Sequence, residues 1–124
     1  MSKRRVLSVG QCAADHARIS SVLAEHFHAE VIPAETIEEA NGLAASEDFD
    51  LVLVNRLFDS GGESGLDYVG AYLADPSRTK VPVMLVSNYD DSQEEAVSLG
   101  AAPGFGKSSL GQPAMLDKVK PYLG

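Results

Sequence analysis

The sequence predicts a doubly wound α/β fold, with helices covering both faces of a parallel sheet. Two observations carry this. Five short apolar runs alternate with stretches whose apolar residues recur at helical spacing. The middle run, Leu51 to Val54, is apolar at every position, as a strand buried on both faces has to be. Strand–helix alternation implies parallel pairing. Right-handed crossovers then leave few topologies, of which the flavodoxin-like order 2-1-3-4-5 is expected.

The elements follow in chain order. Val6 to Val9 is the first strand. Ala14 to Phe27 places Ile19, Val22, Leu23 and Phe27 on one helical face. Glu30 to Pro33 is a short second strand, and its proline, which cannot donate to a ladder, predicts an edge position. Thr36-Ile37-Glu38-Glu39 is a capping-box pattern opening a helix that runs to about Ser46. After the third strand, Arg56 to Ser64 is a loop rich in Gly and Ser, and Gly65 to Leu73 is the third helix. Val81 to Val86 is the fourth strand. Ser92-Gln93-Glu94-Glu95 reads as a second capping box, opening a helix that stops at Gly100. Ala101 to Gly106 holds the fifth strand. Pro113 to Leu123 is the last helix, with Pro113 in its first turn and Met115, Leu116, Val119 and Leu123 on one face. No repeat or interdomain linker interrupts this pattern, so residues 1–124 are expected to form one domain. The chain stops just after the last helix, which leaves no room for an output domain within it.

Charge narrows the function. Eighteen acidic against ten basic residues give a net charge of -8, which disfavours nucleic acid and favours a basic or neutral protein partner. No apolar run has the length of a membrane helix or a signal-peptide core. With Cys12 as the one cysteine, no intrachain disulfide can form, and a cytoplasmic location is expected.

Arg5-Val6-Leu7-Ser8-Val9, Asp50-Leu51-Val52-Leu53-Val54, Gly65-Leu66, Val81-Pro82-Val83-Met84-Leu85-Val86-Ser87, Gly100-Ala101 and Lys107 occur in an order and spacing that resembles the receiver domain of bacterial two-component response regulators. The likeness covers nearly the whole chain. It implies a signalling domain worked at the carboxyl ends of its strands. There an acidic pair would bind magnesium, an aspartate closing the third strand would accept a phosphoryl group, and a Ser or Thr and a Lys would hold its oxygens.

The departures fall on that chemistry. Asn55 stands at the phosphoacceptor position, and Gly10 and Gln11 stand at the acidic pair. An amide oxygen is uncharged and its nitrogen lone pair delocalised, so Asn55 is a poor nucleophile. Magnesium wants oxygen ligands with one or two carboxylates among them, so its loss is expected and no cofactor is assigned. Ser87 and Lys107 stay in register, leaving Lys107 without an obvious acid unless Asn55 or backbone carbonyls accept from it. The stretch from Asn55 to Gly65 is two residues longer than the family's usual spacing. The aromatic switch position falls on Gly104, or on Phe105 after a one-residue shift, and Ser108 replaces the proline that commonly follows the lysine.

The resulting expectation is a degenerate, phosphorylation-independent receiver, or pseudo-receiver. It is a non-enzymatic module in bacterial signalling that meets a protein partner through the fourth helix, fifth strand and fifth helix. Asp91 to Gly106 and Gln112 to Tyr122 would contribute. Two alternatives are an atypical phosphoryl-accepting receiver that uses Asp59, and a small-ligand sensor built on the same crevice. Asp59 is otherwise a loop carboxylate beside a glycine turn.

Other features have plainer readings. The segment from Gly100 to Ser108 has one residue too many between Gly100 and Gly106 for a phosphate-binding loop. His16, His26 and His28 are expected as exposed helix-surface residues rather than metal ligands, and Cys12 as a small packed residue. Glu38-Glu39, Asp90-Asp91 and Glu94-Glu95 read as solvated acids near helix N-termini.

Overall fold

The computed structural model describes residues 3–59, 61–76 and 81–124. Five strands, β1 (Arg5–Val9), β2 (Glu30–Ala34), β3 (Leu51–Asn55), β4 (Val83–Val86) and β5 (Ala102–Phe105), alternate with five helices. These are α1 (Ala13–Phe27), α2 (Ile37–Ser46), α3 (Gly65–Ala74), α4 (Asp90–Leu99) and α5 (Pro113–Leu123). The strands pair in parallel in the order β2-β1-β3-β4-β5. This is the expected doubly wound sheet, and Pro33 lies on the edge strand β2 as its missing N–H requires.

Side chains alternate across the sheet and feed two cores. Val6, Leu51, Leu53, Met84, Val86 and Phe105 pack with Ile19 and Leu23 of α1 and Met115, Val119 and Leu123 of α5. On the other face Leu7, Val9, Val52, Val54 and Leu85 pack with Ala40 of α2, Tyr68, Val69 and Tyr72 of α3 and Ala96 of α4. Each large aliphatic side chain buried this completely contributes roughly 1.5–3 kcal/mol.

Three local expectations are corrected. The fourth strand begins at Val83 rather than Val81, because Pro82 has no N–H for the ladder; its carbonyl still accepts from Val52 N at 2.9 Å. The fourth helix starts at Asp90, two residues before the supposed capping box. Ser92 therefore sits inside its first turn and caps nothing; its N–H bonds instead to Asp91 Oδ1 at 2.9 Å. Asp90 and Asp91 can open the helix because their charge favours its dipole. In the first box, Thr36 Oγ1 accepts from Glu39 N at 3.1 Å, but the Glu39 carboxylate accepts from Glu35 N at 3.3 Å instead of closing on Thr36.

Candidate functional site

The crevice lies where the carboxyl ends of β3, β4 and β5 meet, and has a volume of about 300 Å³. Asn55, Arg56, Leu57, Val86, Ser87, Asn88, Tyr89 and Lys107 line it. The structure thus brings together Asn55, Ser87 and Lys107, three of the five positions singled out from the sequence. Gly10 and Gln11 do not line it.

Asn55 is the last residue of β3 and is buried. Its side-chain amide donates to the Gly10 carbonyl at 3.0 Å and to the Leu57 carbonyl at 2.7 Å. Two facing acceptors fix the Nδ2 end toward them. Asn55 therefore ties the tip of β1 to the loop that follows β3. An ionised aspartate could make neither bond, since it only accepts.

Gly10 follows β1 directly and adopts φ +78°, a left-handed conformation that favours glycine. A side chain there would run into the ring of Phe58, which is 2% exposed and packs against Tyr68 in a tilted arrangement with centroids 6.2 Å apart. The loop after β3 thus folds its aromatic residue over Gly10, the residue that the resemblance aligns with the first of the acidic pair. Its backbone is pinned there by Asp59 N donating to Gly10 O at 3.0 Å and Phe58 N donating to Glu63 O at 2.8 Å. Asp59 itself is exposed and lines no part of the crevice. Gln11 is buried, and neither end of its amide has a hydrogen-bond partner.

Lys107 lies in a single 3-10 turn, Lys107–Ser109, just beyond β5. The expectation that it lacks an acid is wrong: Lys107 Nζ is 2.7 Å from Asp15 Oδ2. Asp15 stands in the first turn of α1, and its other oxygen is 3.8 Å from Arg18 Nη1. Lys107 holds the Asp15 carboxyl below the usual carboxylate range, mainly through this hydrogen bond, with Cys12 and Arg18 adding to it against the cost of burial. Cys12 caps α1, its Sγ accepting from Asp15 N at 3.4 Å. An N-cap role, not simple packing, explains its place. His16 is also half-buried rather than exposed, with its Nδ1 unpartnered.

The remaining polar side chains of the lining carry no negative charge. Ser87 Oγ accepts from Tyr89 N at 3.1 Å and has its own proton uncommitted. The Arg56 guanidinium lies 4.7 Å from the centroid of the Tyr89 ring. Asn88 Oδ1 accepts from Ser108 N at 3.1 Å and Ser108 Oγ at 3.0 Å. No carboxylate lines the crevice, and among the described residues no group of three or more His, Cys, Asp or Glu side chains is placed to hold a metal. This donor set does not fit magnesium, which needs hard oxygen ligands and a carboxylate.

Behind the crevice, Gln93 of α4 binds across the β4–β5 junction. Its Nε2 donates to Leu85 O at 2.9 Å and Ser87 O at 3.1 Å, while its Oε1 accepts from Gly104 N at 3.2 Å. The ladder is irregular there: Met84 pairs with Ala102 and Val86 with Phe105, so one strand has an extra residue. A Cβ on Gly104 would strike the Leu85 carbonyl, so the position aligned with the aromatic switch has to stay bare. Phe105 points the other way, into the core beside α1 and α5.

Asp15, Phe58 and Gln93 were missed from the sequence. Asp15 was legible as an acid in the first turn of a helix starting at the sheet's carboxyl edge. The direction of its side chain was not. Phe58 gave one signal, an aromatic residue in a loop rich in Gly and Ser.

Neither a protein-family model nor a curated protein matches the sequence. Solved structures do. The signal receiver domain of a DNA-binding response regulator from Colwellia psychrerythraea 34H is 20% identical, with a TM-score of 0.80 over 96% of this chain and 97% of that one. A response regulator receiver protein from Pseudomonas putida is 18% identical, with a TM-score of 0.77 over 98% of each chain. The chemotaxis response regulator CheY4 of Vibrio cholerae is 19% identical, with a TM-score of 0.74 over 98% of this chain and all of the other. At such identities the likeness is one of fold.

Proposed function

We propose that this chain, whose fold is that of response-regulator receiver domains, is a phosphorylation-independent member of that architecture acting by protein–protein interaction. One observation carries the reading: the side chain at the phosphoacceptor position is spent as a double donor to backbone carbonyls. A nucleophile needs a lone pair aimed at phosphorus, and Asn55 presents its amide hydrogens to structural partners instead. The missing carboxylates argue the same way, because without magnesium the charge of a transferring phosphoryl group is not neutralised. Loss of magnesium binding and absence of catalysis are part of this proposal. So is a cytoplasmic location; among the described residues no helix is long and apolar enough to cross a membrane.

The partner face is the one formed by α4, β5 and α5. It carries a mostly apolar groove of about 450 Å³ lined by Gln93, Glu94, Val97, Pro103, Gly104 and Lys118, among others. Val97 and Leu99 are 44% and 45% exposed. Asp90, Asp91, Glu94 and Glu95 place negative charge on the N-terminal side of Val97 and Leu99 in α4, which suits a partner presenting an apolar anchor with a basic flank.

Intact-mass analysis after acetyl phosphate and magnesium treatment tests the first half, with no phosphoryl adduct expected. A magnesium-dependent adduct removed by Asp59→Asn would establish the alternative acceptor instead. Pull-down from the native organism tests the second half. Glu94→Lys with Glu95→Lys should release the captured partner, and retention would move the interface elsewhere.

A further inference from the structure

We propose that Gln93 and Lys118 lock α4, β5 and α5 into one arrangement, so that this face meets a partner as a fixed surface. The lock rests on the partner-face reading above and specifies how that face is controlled. It is built around one peptide unit. β5 has an extra residue where it passes β4, since Met84 pairs with Ala102 and Val86 with Phe105. At this bulge Gly104 N donates to Gln93 Oε1 of α4 at 3.2 Å. Gly104 O accepts from Lys118 Nζ of α5 at 2.9 Å. Two helices thus grip one strand residue, the first by its N–H and the second by its carbonyl.

Gln93 also reaches β4. Its Nε2 donates to Leu85 O at 2.9 Å and Ser87 O at 3.1 Å, and lies 3.4 Å from Phe105 O. The amide offers a donor and an acceptor where the irregular ladder leaves strand groups out of step, as a backbone peptide would. Gly104 is buried and Gln93 half-buried, so shifting α4 would strip these groups where water reaches them poorly, at full desolvation cost. The fit is tight, because a Cβ on Gly104 would meet Leu85 O and Gln93 Oε1. Phe105 gives no slack either: it is 2% exposed and belongs to the core formed with α1 and α5. Gln93, Gly104 and Lys118 all line the groove, so the lock lies within the partner surface itself.

Amide-nitrogen relaxation dispersion on the full chain, without partner or phosphoryl donor, tests the lock by reading microsecond-to-millisecond exchange. Parent profiles across residues 88–106 should be flat, with any minor state below about 1%. Gln93→Leu keeps the bulk and deletes the bonds. It should bring exchange confined to α4 and β5, with a minor state of about 5–10%. Lys118→Met deletes the donor on an exposed residue, so it tests the lock without touching the core. It should bring exchange at Gly104 and Phe105, and Lys118→Arg, which keeps a donor, should restore flat profiles. Val22→Ala, a truncation on α1 away from the lock, should leave residues 88–106 flat. Exchange in the parent, flat profiles in either deletion variant, or equal exchange in Val22→Ala would each overturn the proposal. A failed pull-down would sink the partner face and leave these profiles unchanged, whereas parent exchange would sink the lock alone.

Discussion

Asn55 Nδ2 lies 3.0 Å from the Gly10 carbonyl oxygen, so the residue closing β3 donates to the residue following β1. The same nitrogen reaches Leu57 O at 2.7 Å. The residue that the resemblance aligns with a phosphoacceptor is a buried brace between two strand tips.

Replacing that brace with a carboxylate should be costly. Asn55→Asp would bring a negative charge against two carbonyl oxygens and remove two donors. We expect a loss of about 2–4 kcal/mol at neutral pH by chemical denaturation. The protonated acid can donate one of the lost bonds, so folding would raise the carboxyl pKa of the variant. Stability relative to the parent should then be best in acid, below the unfolded carboxylate pKa, and fall as pH rises through the raised folded value. The variant should also gain no phosphoryl adduct from acetyl phosphate and magnesium. Efficient labelling would refute the account of the crevice.

Gly10 and Phe58 should be energetically coupled. Gly10→Ala forces a β-carbon into a left-handed backbone at φ +78° and against the Phe58 ring. A loss of at least about 1–2 kcal/mol is expected. Phe58→Ala alone should cost roughly 3–5 kcal/mol through the cavity it leaves. In a double-mutant cycle the combined loss should fall short of the sum by about 1 kcal/mol, because the smaller residue gives the new methyl group room. Simple additivity would mean that the ring does not occupy the site of the missing side chain.

The Asp15–Lys107 pair should show in the acid limb of stability. The folded carboxyl titrates below its usual value because Lys107 hydrogen-bonds its charged form. Its contribution is therefore complete above the unfolded carboxylate pKa and is lost as pH falls through the lowered folded value. Asp15→Asn should cost about 1 kcal/mol near neutrality and flatten that acid dependence. An unaltered acid limb in urea melts across this range would show that the pair stabilises nothing.

Gln93→Leu keeps the bulk of the side chain while deleting its bonds to Leu85 O, Ser87 O and Gly104 N. A loss of about 1–3 kcal/mol is expected, since the freed Gly104 N–H and the carbonyls lose partners behind α4. Hydrogen exchange should accelerate first at Gly104, whose N–H donates to Gln93 Oε1 at 3.2 Å. Uniform acceleration across the sheet would assign the loss to global stability alone.

The architecture was legible because it rests on patterns local to each segment. The apolar runs, their alternation with helical spacing, Pro33 at an edge and Gly100 as a helix stop, with φ +115°, are all properties of neighbouring residues. The start of α4 was misread because Ser92 resembles a cap, whereas the helix begins at Asp90 with Tyr89 at the N-cap and no side-chain cap bond, its first turn favoured by the charges of Asp90 and Asp91.

By itself, the sequence determined the sheet order and the absence of carboxylates at residues 10, 11 and 55. Both follow from residue identity and short-range periodicity. Only the tertiary structure decided what fills their places. Phe58 covers Gly10, Asn55 bonds across strands to residue 10, and Asp15 supplies the acid for Lys107 from 92 residues away along the chain. These contacts depend on side-chain direction at the meeting of separate elements, and packing in space sets that direction, not the spacing of residues along the chain.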